Sequence, residues 1–279
     1  MSLILAAIVC VGEVRRVKVG RIRSYRTEAI VLRRRDFFEA DRLLAIYTPK
    51  FGKIWAIAKG IRKPTSRKSG HLELFTHSQL LIAKGRELDI ITQAETIHAF
   101  LPLREDLLRT TYAYYIAELL DKFVEEGVED RSLFDLLLAT LGRLGEENDL
   151  ALTARFFELR LLALVGYRPQ LFRCVECGAN IGLDGNFFSP AKGGVLCPRC
   201  GEGETGTEGI SAGALKVLRF LQTRDYDLCR KVHPSPELHA DLEALVQRYI
   251  VYILERNLKS AKFLWRLRRE IGIHAEGTR

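Results

Sequence analysis

From Tyr25 to His98 the apolar residues come in short runs or alternate with polar ones. The runs are Glu28–Arg33, Arg42–Thr48, Lys53–Lys59, Phe75–Ala83 and Leu88–Ile97. Such runs, rich in Ile, Leu and aromatics and bounded by turn residues, predict strands. Thr48-Pro49-Lys50-Phe51-Gly52 reads as a hairpin connection, with Pro presetting φ and Gly tolerating positive φ. Gly60–Gly70 reads as a polar, basic loop, and Lys84-Gly85-Arg86 as a tight turn. Five short strands with one longer loop predict a small, partly open β-barrel of the OB type. An SH3-like barrel has the same pattern.

At Pro102 the period changes. Leu108, Tyr112, Tyr115, Ile116, Leu119 and Phe123 follow helical spacing up to Gly127. A second helix is predicted from Asp130 or Arg131 to Gly145. A third follows with Asn148 as its N-cap, stopped by Gly166 and Pro169. Gly166–Ser211 is Gly- and Cys-rich without periodicity. Helical spacing resumes over Ser211–Thr223. Ser235-Pro236 marks the start of a longer helix, and a short basic helix around Trp265 closes the pattern. The expected fold class is α+β and multidomain: a five-stranded OB-fold-like β-barrel, then an all-α helical bundle interrupted by a four-cysteine zinc element. The expected divisions are an extension over 1–23, the barrel over 24–98, the helical domain over 99–170 and 210–279, and a zinc-binding insertion over 171–209. Ser2–Val11 is apolar but short, with no basic residue before it, so it does not read as a secretory leader. No stretch approaches the ~18 apolar residues of a membrane span.

Charge changes this picture. The 279 residues carry a net +8. Residues 1–98 hold 19 Lys/Arg and 9 Asp/Glu, so the first third carries the whole surplus. Three clusters stand out: Arg33-Arg34-Arg35, the pair Lys50 and Lys53, and the run containing Lys59, Arg62, Lys63, Arg67 and Lys68. A solvated basic face accounts for one such run; three in one small segment point to a polyanion, nucleic acid above all. Phe37, Phe38, Tyr47, Phe51 and Trp55 are the aromatic candidates for base stacking. Phe51, in a turn beside Lys50 and Lys53, is the one singled out for exposure.

Cys174-x-x-Cys177 and Cys197-x-x-Cys200 are separated by nineteen residues. Two thiolates two residues apart share one tight turn, and two such turns complete a tetrahedron, the spacing of a structural zinc site with four cysteine ligands. Gly178 and Gly201 follow the second Cys of each pair and are expected to permit the turn. The segment looks poor in apolar residues, so the metal is expected to replace a core. Cys229 reads as a small buried hydrophobe, and Cys10 stands alone. Metal-type cysteines predict a reducing, cytoplasmic setting.

Two catalytic signatures are missing: the sequence has no G-x-x-x-x-G-K-[ST] and no H-E-x-x-H. A metal-dependent nuclease using strand carboxylates such as Asp89 and Glu95 is the weakest of three readings. A zinc-containing, site-specific nucleic-acid regulator is the second, although no helix-turn-helix pattern stands out.

The first reading comes from a resemblance. Thr27–Arg33, the stretch from Asp41-Arg42 through Thr48–Lys53 to Ala56–Gly60, Gly166-Tyr167-Arg168-Pro169 before Cys174, and Phe187-Phe188-Ser189-Pro190-Ala191 before Gly193–Cys197 together resemble the bacterial RecO recombination-repair family. The resemblance covers about Ser24 to Arg269. It implies a non-enzymatic mediator that binds single- and double-stranded DNA and anneals complementary strands. It also implies work with RecR and with the tail of single-strand-binding protein to load RecA. The DNA-facing residues expected on this chain are Arg33, Arg34, Arg35, Lys50, Phe51, Lys53, Lys59, Arg62, Lys63, Arg67 and Lys68; the metal ligands are Cys174, Cys177, Cys197 and Cys200. Trp265-Arg266-Leu267-Arg268-Arg269 is one candidate seat for the acidic tail.

Overall fold

The computed structural model describes residues 24–271. The extension expected over 1–23, with Cys10, lies outside the described residues. Five strands come first: β1 (Ser24–Phe37), β2 (Asp41–Thr48), β3 (Gly52–Ala58), β4 (His77–Ala83) and β5 (Asp89–His98). They close into a barrel in the order β1-β2-β3-β5-β4, with β4 returning to pair with β1. All pairs are antiparallel except a short parallel contact of Ala56 and Ile57 with Asp89 and Ile90. This five-stranded closed order is that of the OB type.

The period-two pattern of β1 serves two cores. Ala29 and Val31 point into the barrel beside Leu44, Ile46, Ala56, Leu80, Ile82 and Ile91. Ile30 and Leu32 point the other way, and with Tyr47 and Phe75 they join the core of the helical region. Successive side chains alternate across a strand, so one sequence run seals both.

The helices are α1 (Pro102–Glu105), α2 (Leu107–Phe123), α3 (Arg131–Glu146), α4 (Leu150–Leu164), α5 (Pro198–Gly201), α6 (Ala212–Thr223), α7 (Tyr226–Cys229), α8 (Pro236–Leu254) and α9 (Lys259–Glu270). Side-chain caps start five of the longer ones: Asp106, Asp130, Asp149, Ser211 and Ser235 each accept from the backbone amide three residues on. The cap of α4 is therefore Asp149, whose Oδ1 accepts from Leu152 N at 2.8 Å, and not the neighbouring Asn148.

The Cys-rich segment folds as a small three-stranded sheet, β7 (Gly194–Leu196), β6 (Phe187–Ser189), β8 (Glu208–Gly209) in that order. The expectation that it lacks apolar contacts is corrected. Leu171, Ile181, Phe188, Val195, Leu196 and Ile210 are buried in the same core as α2, α4, α6 and α8. Phe188 packs edge-on against Tyr249 of α8, with ring centroids 5.5 Å apart. The segment thus docks on the bundle through its own side chains.

A polar network lies inside the bundle. The buried Arg155 and Glu158 pair at 2.6 Å, and Glu158 also accepts from Tyr115 Oη at 2.5 Å. Nearby, Glu243 of α8 accepts from Trp265 Nε1 at 2.7 Å and pairs with Arg268 at 2.5 Å, which fixes α9 to the bundle. Among the described residues no helix is long and apolar enough to cross a membrane.

Candidate nucleic-acid interface and metal centre

The basic residues of the barrel separate into two groups at opposite ends of β2. One gathers where the β1–β2 hairpin meets the loop after β3. Arg62 N donates to Ala40 O at 3.0 Å, and Gly60 N donates to Asp41 Oδ1 at 2.7 Å, so the loop lies on the hairpin. This brings Arg34, Arg35, Lys59, Arg62, Lys63 and Arg67 to one end. Within it, Arg34 pairs with Glu73, and Arg62 pairs with Asp36 at 3.6 Å. Arg35, Lys59, Lys63 and Arg67 are exposed, and none makes an ion pair with a described residue. Phe38, at the hairpin tip with φ +50°, is 77% exposed and leans on Phe37. A left-handed φ is costly for an aromatic residue, and it turns this ring outward.

Lys50 and Phe51 occupy the other end of β2, about 23 Å along the strand at ~3.3 Å per residue. Lys50 is exposed. Phe51 is half-buried, with its ring 4.5 Å from Tyr25, and Lys84 Nζ lies over both rings at 4.8 and 5.9 Å. Lys84 carries charge here although the sequence pattern places it only in a turn.

The expectations for Lys53, Tyr47, Trp55 and Lys68 need correcting. Lys53 is 8% exposed; its ammonium donates to Asp121 O at 2.7 Å and pairs with Asp121 Oδ1 at 3.3 Å. Its period-two position is outward from the barrel, but that outer face is covered by the end of α2 and the loop to α3. Gly52 shows how closely: a Cβ there would lie 1.9 Å from Val128 O. Tyr47 is wholly buried on the same face. Trp55 is half-buried, its Nε1 donating to Glu126 at 2.6 Å. Lys68 is also half-buried and donates to Ile91 O at 3.0 Å, and burial lowers its pKa. Arg33 pairs with Asp121 at 2.9 Å while keeping half its side chain in solvent.

The charge count shifts as well. Of the 19 bases and 9 acids in residues 1–98, five bases and one acid belong to 1–23, leaving 14 against 8 on the described barrel. The barrel is basic by six, and the surplus is concentrated by the pairing just described.

The four cysteines converge. Their sulfurs lie within 4.8 Å of one another, with Cys177 and Cys197 Sγ 3.8 Å apart, and could hold a metal ion. Two tight turns place them. Gly178 N donates to Cys174 O, and Cys200 N and Gly201 N both donate to Cys197 O. Gly178 has φ +73° as its turn requires. Gly201 has another reason to be glycine: the ring of Phe187 lies where its Cβ would be, 2.4 Å away. Cys197 N also donates to Cys174 Sγ at 3.4 Å. Burial pushes the Cys174 thiol up, but backbone amides aimed at its sulfur favour the thiolate and together bring it down to about 6. Cys229 is buried beside the carbonyls of Phe220 and Arg224.

The carboxylates considered for catalysis are not gathered. Asp89 accepts from Tyr25 Oη at 2.7 Å and from Gly85 N at 3.2 Å and pairs with Lys84, a turn-stabilising role. Glu95 is exposed on β5.

A groove of about 710 Å³ runs between α3, α4 and α7. Arg143 lies over the ring of Tyr226 at 3.9 Å, and Arg160 over Phe156 at 4.9 Å. Arg160 Nε is buried without a hydrogen-bond partner. In the basic C-terminal run considered as a tail seat, Leu267 is buried and Glu243 holds Trp265 Nε1 and Arg268, while Trp265, Arg266 and Arg269 keep exposed surface.

Comparison with known proteins agrees with this architecture. Residues 22–100 match the family model "Recombination protein O N terminal", and residues 104–262 match "Recombination protein O C terminal". A DNA repair protein RecO from Roseiflexus sp. is 46% identical over 244 residues, 88% of this chain and 86% of that protein. The DNA repair protein RecO of Symbiobacterium thermophilum is 38% identical over 247 residues, covering 88% of this chain and 98% of its own. One from Dehalococcoides mccartyi is 37% identical, covering 87% and 94%. An OB-type barrel with a concentrated basic end, a helical bundle and a four-cysteine cluster, matched along nearly the whole described chain, place this protein in the RecO family of DNA repair proteins.

Proposed function

We propose that the protein is a non-enzymatic recombination mediator that binds single- and double-stranded DNA, anneals complementary strands and helps load RecA onto DNA covered by single-strand-binding protein. One observation carries this reading. Four exposed cations without ion pairs among the described residues, Arg35, Lys59, Lys63 and Arg67, lie at the same end of the barrel as the exposed ring of Phe38. Cations there neutralise phosphates by releasing counterions, and a free ring stacks on any base without reading its identity. Arg34 and Arg62 border this patch. Lys50 and Phe51 offer a weaker second contact, and Lys53 takes no part.

The metal in this reading is one zinc ion. A sulfur tetrahedron around zinc, at about 2.3 Å per bond, has edges of about 3.8 Å, which fits the separation of Cys177 and Cys197. A closed set of four thiolates supplies a structural tie and leaves no position for a reacting water. The partner readings are RecR and the acidic tail of single-strand-binding protein. The Arg143–Arg160 groove has an aromatic wall, but Asp135, Glu146, Glu147, Asp225 and Asp227 also line it, so its charge does not single it out as the seat of that tail. A reducing cytoplasm, at the nucleoid, is the matching location.

The test is annealing of complementary strands without ATP, with and without single-strand-binding protein, at two salt concentrations. Faster annealing with no scission is expected. Replacing Lys59, Lys63 and Arg67 by Gln should reduce the slope of log K against log salt by about 2 on single strands. An unchanged slope, site-selective duplex binding without annealing, or magnesium-dependent cleavage would each overturn the reading.

A further inference from the structure

We propose that the groove between β1, α2 and α9 is a second seat for single-stranded DNA, continuing the path from the barrel onto the C-terminal helix. The proposal rests on the DNA-binding reading above and adds a site to it. The groove has a volume of about 680 Å³. Arg33 and Arg34 form its barrel wall, so it begins beside the basic end of the hairpin. Lys122 and Lys259 border it from α2 and α9.

Its two carboxylates are already engaged. Asp121 is paired with Lys53 and Arg33. Glu118 accepts from the backbone amides of Lys259 and Ser260 and from Ser260 Oγ, closing the start of α9. Lys122 and Lys259 make no ion pair with a described residue. The groove therefore presents surplus positive charge despite containing acids.

α9 extends this charge. Residues 256–270 hold six Lys/Arg and one acid. Lys259, Lys262, Phe263 and Arg266 recur at i, i+3, i+4 and i+7, so they share one face. All four are exposed, with Arg266 3.8 Å from Glu270 one turn on, while Ala261, Leu264 and Leu267 are buried on the opposite side. The stripe rises about 10 Å at 1.5 Å per residue. Two rings stand in it or beside it: Tyr114, 45% exposed on the groove wall, and Phe263, 42% exposed, with Arg266 over it at 5.3 Å.

This arrangement selects its ligand. A carboxylate-ended peptide needs donors converging on one point. Here the cations are spread along a helix face with rings between them, as a repeating phosphate backbone with splayed bases requires. Duplex bases are stacked on each other and could not use the rings.

The experiment uses the full chain and fluorescence anisotropy with two oligothymidylates, of about 8 and about 25 nucleotides, below and above the reach of one OB site. Replacing Lys259, Lys262 and Arg266 by Gln should weaken the long oligomer about tenfold. It should also lower its salt slope by about 2 and leave the short one unchanged. Phe263→Ala, at an exposed position, should weaken the long oligomer about fivefold with less change in slope. If the α9 variants bind the long oligomer as the parent does, while the Lys59/Lys63/Arg67 variant weakens both lengths, the second seat is wrong and the barrel reading stands. If the parent binds neither oligomer, both readings fall. Protection of the α9 stripe by an acidic peptide, but not by the oligomer, would also overturn the proposal.

Discussion

Lys53 and Lys63 are chemically identical and ten residues apart, yet their surroundings assign them opposite work. Lys63 sits exposed in a loop. Lys53 is enclosed between the barrel and α2, its ammonium shared with the side chain and carbonyl of Asp121. Removing Lys53 leaves the buried Asp121 carboxylate with Arg33 alone and strips its carbonyl of a donor. Lys53→Met should therefore cost roughly 3 kcal/mol in urea unfolding, yet leave the salt slope of DNA binding as it was. A variant that kept its stability and lost slope would reverse the assignment. The sequence pattern could not separate the two lysines. Period two puts Lys53 and Trp55 on the outer face of β3, and outer usually means wet; what covers that face comes from some seventy residues further on. Phe38 is the converse case, an aromatic in an apolar-looking pair whose backbone conformation at the hairpin tip decides its exposure.

Elements were more legible than single residues because their signals are local. The strand runs, the Ser235-Pro236 start of α8 and the change of period near Pro102 all rest on neighbours within a few positions. The cysteine spacing was legible for the same reason, since two residues between thiols fit one turn. What it did not reveal is the apolar side of the segment: Phe188, Val195 and Leu196 are scattered in the sequence and meet only when β6 pairs with β7. The element therefore has packing as a support beside the four sulfurs that could hold a metal ion. Cys177→Ser should release the bound ion to a chromophoric chelator under milder conditions than the parent. The circular dichroism of α2, α4 and α8 should persist, because their shared core is intact. Global unfolding of that variant would mean that the sulfurs hold the bundle as well as the knuckles.

At the scale of the molecule, the barrel and helices are joined by a continuous core in which Ile30, Leu32, Tyr47 and Phe75 meet α2 and α3. An isolated barrel ending near Phe100 would expose that apolar face, and its polar seam at Lys53 would lose Asp121. Such a fragment should be poorly soluble and bind the dye ANS strongly, whereas the full chain should unfold in one transition. A soluble, monomeric fragment with the parent's DNA affinity would show that the two parts are separable after all. The charge partition read from the sequence survives this view in modified form. The barrel is basic by six once residues 1–23 are set aside, and the near-neutral remainder hides a strongly basic helix, α9, whose charge cancels in the total.

The fourteen residues of β1 have one more consequence. The strand is hydrogen-bonded to β4 along its first half and to β2 along its second, and its arginines stand at the far end. A pull on a nucleic-acid strand gripped there would load β1 lengthwise. Its hydrogen bonds run across that direction, so they would be sheared together and not peeled one after another. The fold thus offers a stiff anchor against tension at the end where its charge is gathered.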